Sequence, residues 1–167
     1  APFRLPISDS LAWDGSPAFA ADGKTLYFAS NRTGSVGGID LYRASIDASG
    51  RFGRPVNMGR DINTPGDDIF PFVAADGKLY FASDGHPGLG KLDVFVATRS
   101  GGVIRIENMG QPINSPADDF GLTFPDPDSN KGYMASNRAG GKGDDDIYEF
   151  TDFSMIRLAH YIVDGQI

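Results

Sequence analysis

The stretch "KTLYFASNRTGSVGGIDLYRAS", Lys24–Ser45, decides how the rest of the chain is read. Two short apolar runs rich in β-formers flank a Gly-rich polar loop, and neither run is long enough for a helix. The phrase returns as "KLYFASDGHPGLGKLDVFVAT" (Lys78–Thr98) and as "KGYMASNRAGGKGDDDIYEF" (Lys131–Phe150). Ser30, Ser83 and Ser136 are spaced by 53 residues, as are Asp40, Asp93 and Asp146. A linking phrase repeats as well: "VNMGRDINTPGDDIFPF" (Val56–Phe72) returns as "ENMGQPINSPADDFGLTF" (Glu107–Phe124), with Asn57 and Asn108, and Asp68 and Asp119, each 51 apart. Self-similarity at a fixed period of this size marks a repeat architecture.

Strands within one unit follow from turn chemistry. "SPAFAA" (Ser16–Ala21) runs into "ADGK", where Asp-Gly is a hairpin signal. "TLYFAS" (Thr25–Ser30) is a second strand, and "DLYRAS" (Asp40–Ser45) a third with period-2 alternation. After the turn "DASG", "RFGRPVNM" (Arg51–Met58) is a fourth, and Pro55 puts it at a sheet edge. Four antiparallel strands per unit, the innermost made of small residues, predict an all-β chain of propeller blades, about three of them. Repeats are expected over about 16–64, 68–115 and 119–154. Phe28, Leu41, Tyr42, Tyr80, Phe81, Val94, Phe95, Tyr133, Ile147 and Tyr148 are expected to pack between blades.

Composition narrows the function classes. The chain has 167 residues, 22 Gly, 11 Pro and no Cys, which excludes disulfides, thiolate metal sites and a Cys nucleophile. A net charge of −7 without any basic block argues against nucleic acid or anionic lipid as partner. No apolar run reaches the ~18 residues that span a bilayer as a helix.

These residues resemble a known repeat. "SPAFAADGKTLYFASNR…GGIDLY" is similar to the TolB-type, WD-like propeller repeat, and the longer unit with "VNMGRDINTPGDD" resembles repeats of Bacteroidetes cell-envelope proteins of the OmpA family. That resemblance implies a propeller followed by a carboxypeptidase-regulatory-like sandwich and an OmpA-like peptidoglycan-binding domain. This is the layout of the peptidoglycan-associated component of the type IX secretion system. It implies a periplasmic, outer-membrane-associated protein with protein partners, and peptidoglycan contacted through a domain outside this chain. Asp84-Gly85 replaces Asn-Arg in the second unit, and Asp128-Ser129-Asn130-Lys131 replaces the Asp-Gly-Lys turn in the third.

The ends fit this layout. "FRLPISDSLAWDGSP" (Phe3–Pro17) lines up with "VNMGRDINTPGDDIFP", so residues 1–15 are expected to end a preceding blade. "AHYIVDGQI" (Ala159–Ile167) resembles the opening strand of the sandwich domain, with 155–167 as linker and its start. A closed propeller needs four or more blades, so the expectation is a piece of a longer chain. The rivals are that Phe3–Ile7 closes on the third unit, or that two chains pair into a six-bladed ring.

The Gly-rich loop itself is weighed three ways. As a phosphate cradle it lacks the Lys-Ser/Thr and following helix. As a metal loop, Asp144, Asp145 and Asp146 offer hard oxygens suited to calcium. As a connector, Asp40, Asp93 and Asp146 recur because each closes its loop on backbone N–H groups or pairs with Arg32 or Arg138. The connector reading is preferred, with Asn31, Arg32, Asn137 and Arg138 as further structural members. No metal site, no cofactor and no catalytic set is expected: neither a Gly-x-Ser-x-Gly elbow nor a His-Glu-x-x-His occurs.

Recognition is therefore expected on the loop rim, at Trp13, Asp67, Asp68, His86, Asp118, Asp119, Asp144 and Asp145. His86 is read as a solvated loop residue, and Trp13 as a rim contact for a protein or glycan. The rival function class is the propeller portion, a gate, of a prolyl-oligopeptidase-like or tricorn-like peptidase. The two differ in what should follow the repeats: a peptidoglycan-binding domain, or an α/β domain with a nucleophile elbow.

Overall fold

A computed structural model describes residues 1–126 and 129–151. Eleven strands make up the regular structure: β1 (Asp14–Phe19), β2 (Thr25–Ser30), β3 (Asp40–Ser45), β4 (Val56–Asn57), β5 (Asp68–Val73), β6 (Leu79–Ser83), β7 (Asp93–Ser100), β8 (Val103–Asn108), β9 (Asp119–Thr123), β10 (Lys131–Ser136) and β11 (Asp146–Thr151). They form three antiparallel meanders, ordered β1-β2-β3-β4, β5-β6-β7-β8 and β9-β10-β11. The described residues are all-β, and each meander is a propeller-type blade.

Register repeats with the sequence. Asp14, Ser30 and Asp40 stand side by side across the first blade, as do Asp68, Ser83 and Asp93 in the second and Asp119, Ser136 and Asp146 in the third. The innermost strand of each blade bulges at the same place, between Gly15 and Ala18, Ile69 and Phe72, and Tyr133's and Ala135's partners on β9. Ser16, Phe70 and Gly121 take positive φ there, at 51°, 56° and 63°. A bulge re-aims the strand and frees a position from the ladder, which is how Pro17 and Pro71 are accommodated next to it.

Burial follows the faces. Ala29, Leu41 and Ile62 of the first blade pack on Leu79, Phe81, Phe95 and Ala97 of the second. The opposite face of the second blade, with Tyr80, Val94 and Val96, packs on Leu122, Met134, Tyr148 and Phe150 of the third. At ~25 cal/mol per Å² of apolar surface buried, these two interfaces are the main favourable term holding the blades together.

Several expectations are corrected here. The fourth strand of the first blade is only Val56–Asn57, with a single bridge from Ile46 to Phe52 before it, because Pro55 has no N–H to give the ladder. Among the described residues the third blade has three strands. The innermost strands are not made of small residues: Phe70 of β5 stacks on Phe120 of β9 at 5.0 Å. Residues 1–13 contain turns and no strand. Ile7 packs on Phe28, Tyr42 and Ala44 of the first blade, so Phe3–Ile7 does not close on the third unit. Ile147, expected between blades, is 83% exposed, whereas its equivalents Leu41 and Val94 are fully buried. The difference is positional, since Ile147 lies on the third blade's far face. The turn at Asp128 and the segment 155–167 lie outside the described residues.

Candidate functional site

One end of all three blades is built from the same polar parts. Asp40 accepts hydrogen bonds from the backbone N–H groups of Val36 (2.6 Å) and Gly37 (3.0 Å). Asp93 does so from Leu89 (2.8 Å) and Gly90 (3.0 Å), and Asp146 from Lys142 (2.7 Å) and Gly143 (3.2 Å). Each is a loop-closing carboxylate, and the Gly-rich stretch is a connector made the same way three times. Its glycines have a further reason. A Cβ on Gly37 would collide with the carbonyl oxygens of Thr64 and Gly66, and one on Gly90 with that of Ala117, because each loop lies against the backbone leading to the next blade.

The rim acids are also turned inward. Asp67 accepts from Ile39 N–H (2.8 Å), and Asp118 from Leu92 N–H (3.0 Å) and the Asn137 amide (3.0 Å). The Leu92 N–H, with Asn137 and Lys91, holds the Asp118 carboxyl below the usual carboxylate range against a partial burial that raises it. Asp68 and Asp119 are fully buried and accept from Thr64 and Ser115 respectively. Asp68 and Asp119 are therefore not rim-binding residues: they open the innermost strands and face inward. Asn31 and Asn137 link Trp13 and Asp118 by reciprocal bonds, Asn31 Oδ1 accepting from Trp13 N–H and Asn137 Oδ1 from Asp118 N–H.

Arg32 and Arg138 fill equivalent slots. Arg32 donates from Nε to Ser30 Oγ (3.0 Å) and from Nη2 to Asp14 Oδ1 (2.6 Å) and the Ile7 carbonyl (3.3 Å). Its guanidinium lies over Phe28 and Tyr42 at 4.9 and 5.1 Å. Arg138 repeats this with Ser136, Asp119 and the Ile113 carbonyl, and lies over Tyr148 at 5.0 Å. Burial alone would raise the Asp14 carboxyl, but Ser30 and Arg32 hold it below its ordinary value.

His86 occupies the same slot in the second blade. Its Nε2 lies 2.8 Å from the Ile62 carbonyl, so that nitrogen carries the proton, and its ring packs on Phe81 and Phe95 at 5.8 and 5.1 Å. It is thus not a solvated loop residue. The signal was present in the sequence: Ser30-x-Arg32 and Ser136-x-Arg138 correspond to Ser83-x-x-His86, one position later in a loop of the same length. Asn63 and Asn114 were also not singled out, although they recur at the 51-residue spacing. Each lies buried and bridges a third strand: Asn114 accepts from Val94 N–H and donates to Val94 C=O, both at 2.8 Å, and Asn63 does the same at Leu41.

What remains open on this rim is what does not recur. Trp13 is 46% exposed, Leu11 95% and Leu89 48%, and Asp144 and Asp145 are exposed. Asp146 is committed to its own loop, and among the described residues no three acids or histidines are grouped to hold a metal ion.

No protein-family description matches the chain, and no curated protein matches it. Among solved structures it is similar to a puromycin hydrolase, with a TM-score of 0.48 and 14% identity over 89% of this chain and 28% of that one.

Proposed function

We propose that this chain is a non-catalytic β-propeller module of a larger, peptidoglycan-associated cell-envelope protein, which binds protein partners through its loop rim. The reading includes a periplasmic setting at the outer membrane and a type IX secretion role, both of which rest on the repeat resemblance. One observation supports the binding role. The acids that recur in the loops are engaged by their own blade or its neighbour, and the exposed loop side chains that do not recur include Leu11, Trp13, Leu89, Asp144 and Asp145. Loops held by a rigid sheet scaffold carry recognition because they vary without disturbing packing. A half-exposed Trp on one blade and free acids on another suit a partner that offers an apolar anchor site and basic groups.

The test is capture from envelope extract followed by kinetics with the purified partner. Association should slow as salt rises, since the chain carries a net charge of −7. Association indifferent to salt would refute the charge complementarity. Peptidase or esterase turnover that survives repurification would refute the non-catalytic reading.

A further inference from the structure

The three blades carry one slot with three occupants, Arg32, His86 and Arg138, and only the middle occupant can lose its charge near neutral pH. In the outer two slots an arginine satisfies the inward oxygen of a shielded carboxylate, Asp14 Oδ1 or Asp119 Oδ1. In the middle slot the corresponding oxygen, Asp68 Oδ1, is buried without a hydrogen-bond partner. Asp68 is itself fully buried, and its other oxygen is committed to Thr64. The histidine keeps the remaining features of the slot: the contact with the preceding carbonyl, here Ile62, and the aromatic bed of Phe81 and Phe95.

We propose that the Asp68–His86 pair makes the joint between the first and second blades proton-sensitive. Uptake of one proton places an imidazolium where the sister blades hold a guanidinium, and its loss leaves a buried carboxylate without a counter-charge. The joint is the right place to feel this, because the Ile62 carbonyl and the Thr64 backbone and hydroxyl belong to the segment that links β4 to β5. The other charged groups on the surrounding elements are Asp93 and Arg99 on β7, Asp93 in register with Asp68 across Ser83, Asp84 and Lys91 in the His86 loop, and Arg60, Asp61 and Asp67 in the linking segment. Asp93 also has a buried oxygen without a partner, and the cation of β7, Arg99, is exposed six residues along the strand.

The electrostatics of Asp68 point the same way. Burial raises its carboxyl above the ordinary value, against the opposing pull of Ser83, Thr64 and the His86 charge. A raised carboxyl contributes stability that is fully present at low pH and is lost as pH rises through its folded value. Asp14 and Asp118, held below the ordinary value, act only in the acid range and leave the neutral window to the middle slot.

The experiment follows the histidine ring by NMR in a His160→Gln background, with urea unfolding from about pH 5.5 to about pH 8. The unfolding constant of the parent should fall on acidification, about tenfold for each pH unit by which folding changes the pair's proton affinity. His86→Arg should remove that dependence and match the stability of the protonated parent, and Asp68→Asn should also flatten it. A ring that does not titrate in the window overturns the proposal. So does an unfolding profile that His86→Arg leaves unchanged, or one that Asp68→Asn leaves unchanged if the arginine variant does not fold.

Discussion

Replacing Asn114 with Ala removes a part that the blades use in duplicate. Asn114 is 1% exposed and clamps both main-chain groups of Val94, which is itself fully buried. Its amide also donates to Asn108 Oδ1 at 2.8 Å, but Asn108 is exposed and regains water. The Val94 N–H and C=O cannot regain water. Each buried group left unsatisfied costs about 1–3 kcal/mol, so the pair should cost about 2–6 kcal/mol. Equilibrium urea unfolding reads this directly, and a domain of this size should also lose about 2–4 °C of midpoint per kcal/mol. Asn63→Ala removes the same clamp at Leu41 and should cost the same within about 1 kcal/mol, given the matching geometry. A loss below about 1 kcal/mol in both variants would mean that water reaches the third strands, and the reasoning would fail.

Other outcomes follow from single positions. Phe81 is 1% exposed at the contact between the first two blades, and Phe81→Ala should cost about 3–5 kcal/mol in chemical denaturation. Gly37→Ala should destabilise, because its Cβ meets the Thr64 and Gly66 carbonyls, whereas Gly143→Ala at the open end should stay within about 0.5 kcal/mol of the parent. Asp14 is held below its ordinary value, so its contribution is present above the unfolded carboxylate range and lost as pH falls through its folded value. Asp14→Asn should therefore unfold with a shallower acid dependence than the parent below about pH 4.

The fold was legible because the repeat spacing carries it. Strands two and three of each blade stand where Tyr-Phe/Met-Ala-Ser and the Asp-aliphatic-aromatic phrase put them, and the loop-closing role of Asp40, Asp93 and Asp146 followed from their recurring once per blade. The sequence pattern misled where tertiary packing decides. The positive φ of Phe70 defies local preference and is held by the bulge and the Phe120 stack. Ile147 shares its pattern with Leu41 and Val94, but burial depends on what lies opposite a face, which no pattern within the strand records. Asp68 and Asp119 look like rim acids because they sit beside Asp67 and Asp118, yet each begins an innermost strand and its carboxylate is buried against Thr64 or Ser115. His86 was obscured because it stands one position after the alignment of Arg32 and Arg138, in a loop of the same length, while its ring reaches their slot.

The central claim is that recurring residues build the blades while non-recurring rim residues recognise a partner. A combined variant, Trp13→Ser with Asp144→Lys and Asp145→Lys, tests it when partner binding and urea unfolding are measured on the same preparation. Asp144 and Asp145 are exposed, and Trp13, 46% exposed, rests its ring on Gly15 without entering a core cluster, so the unfolding free energy should fall by no more than about 1.5 kcal/mol. Partner affinity should fall at least tenfold, as expected for loss of an aromatic anchor worth about 2 kcal/mol or more. Full binding by this variant, or unfolding of the blades themselves, would contradict the division of labour between the two sets.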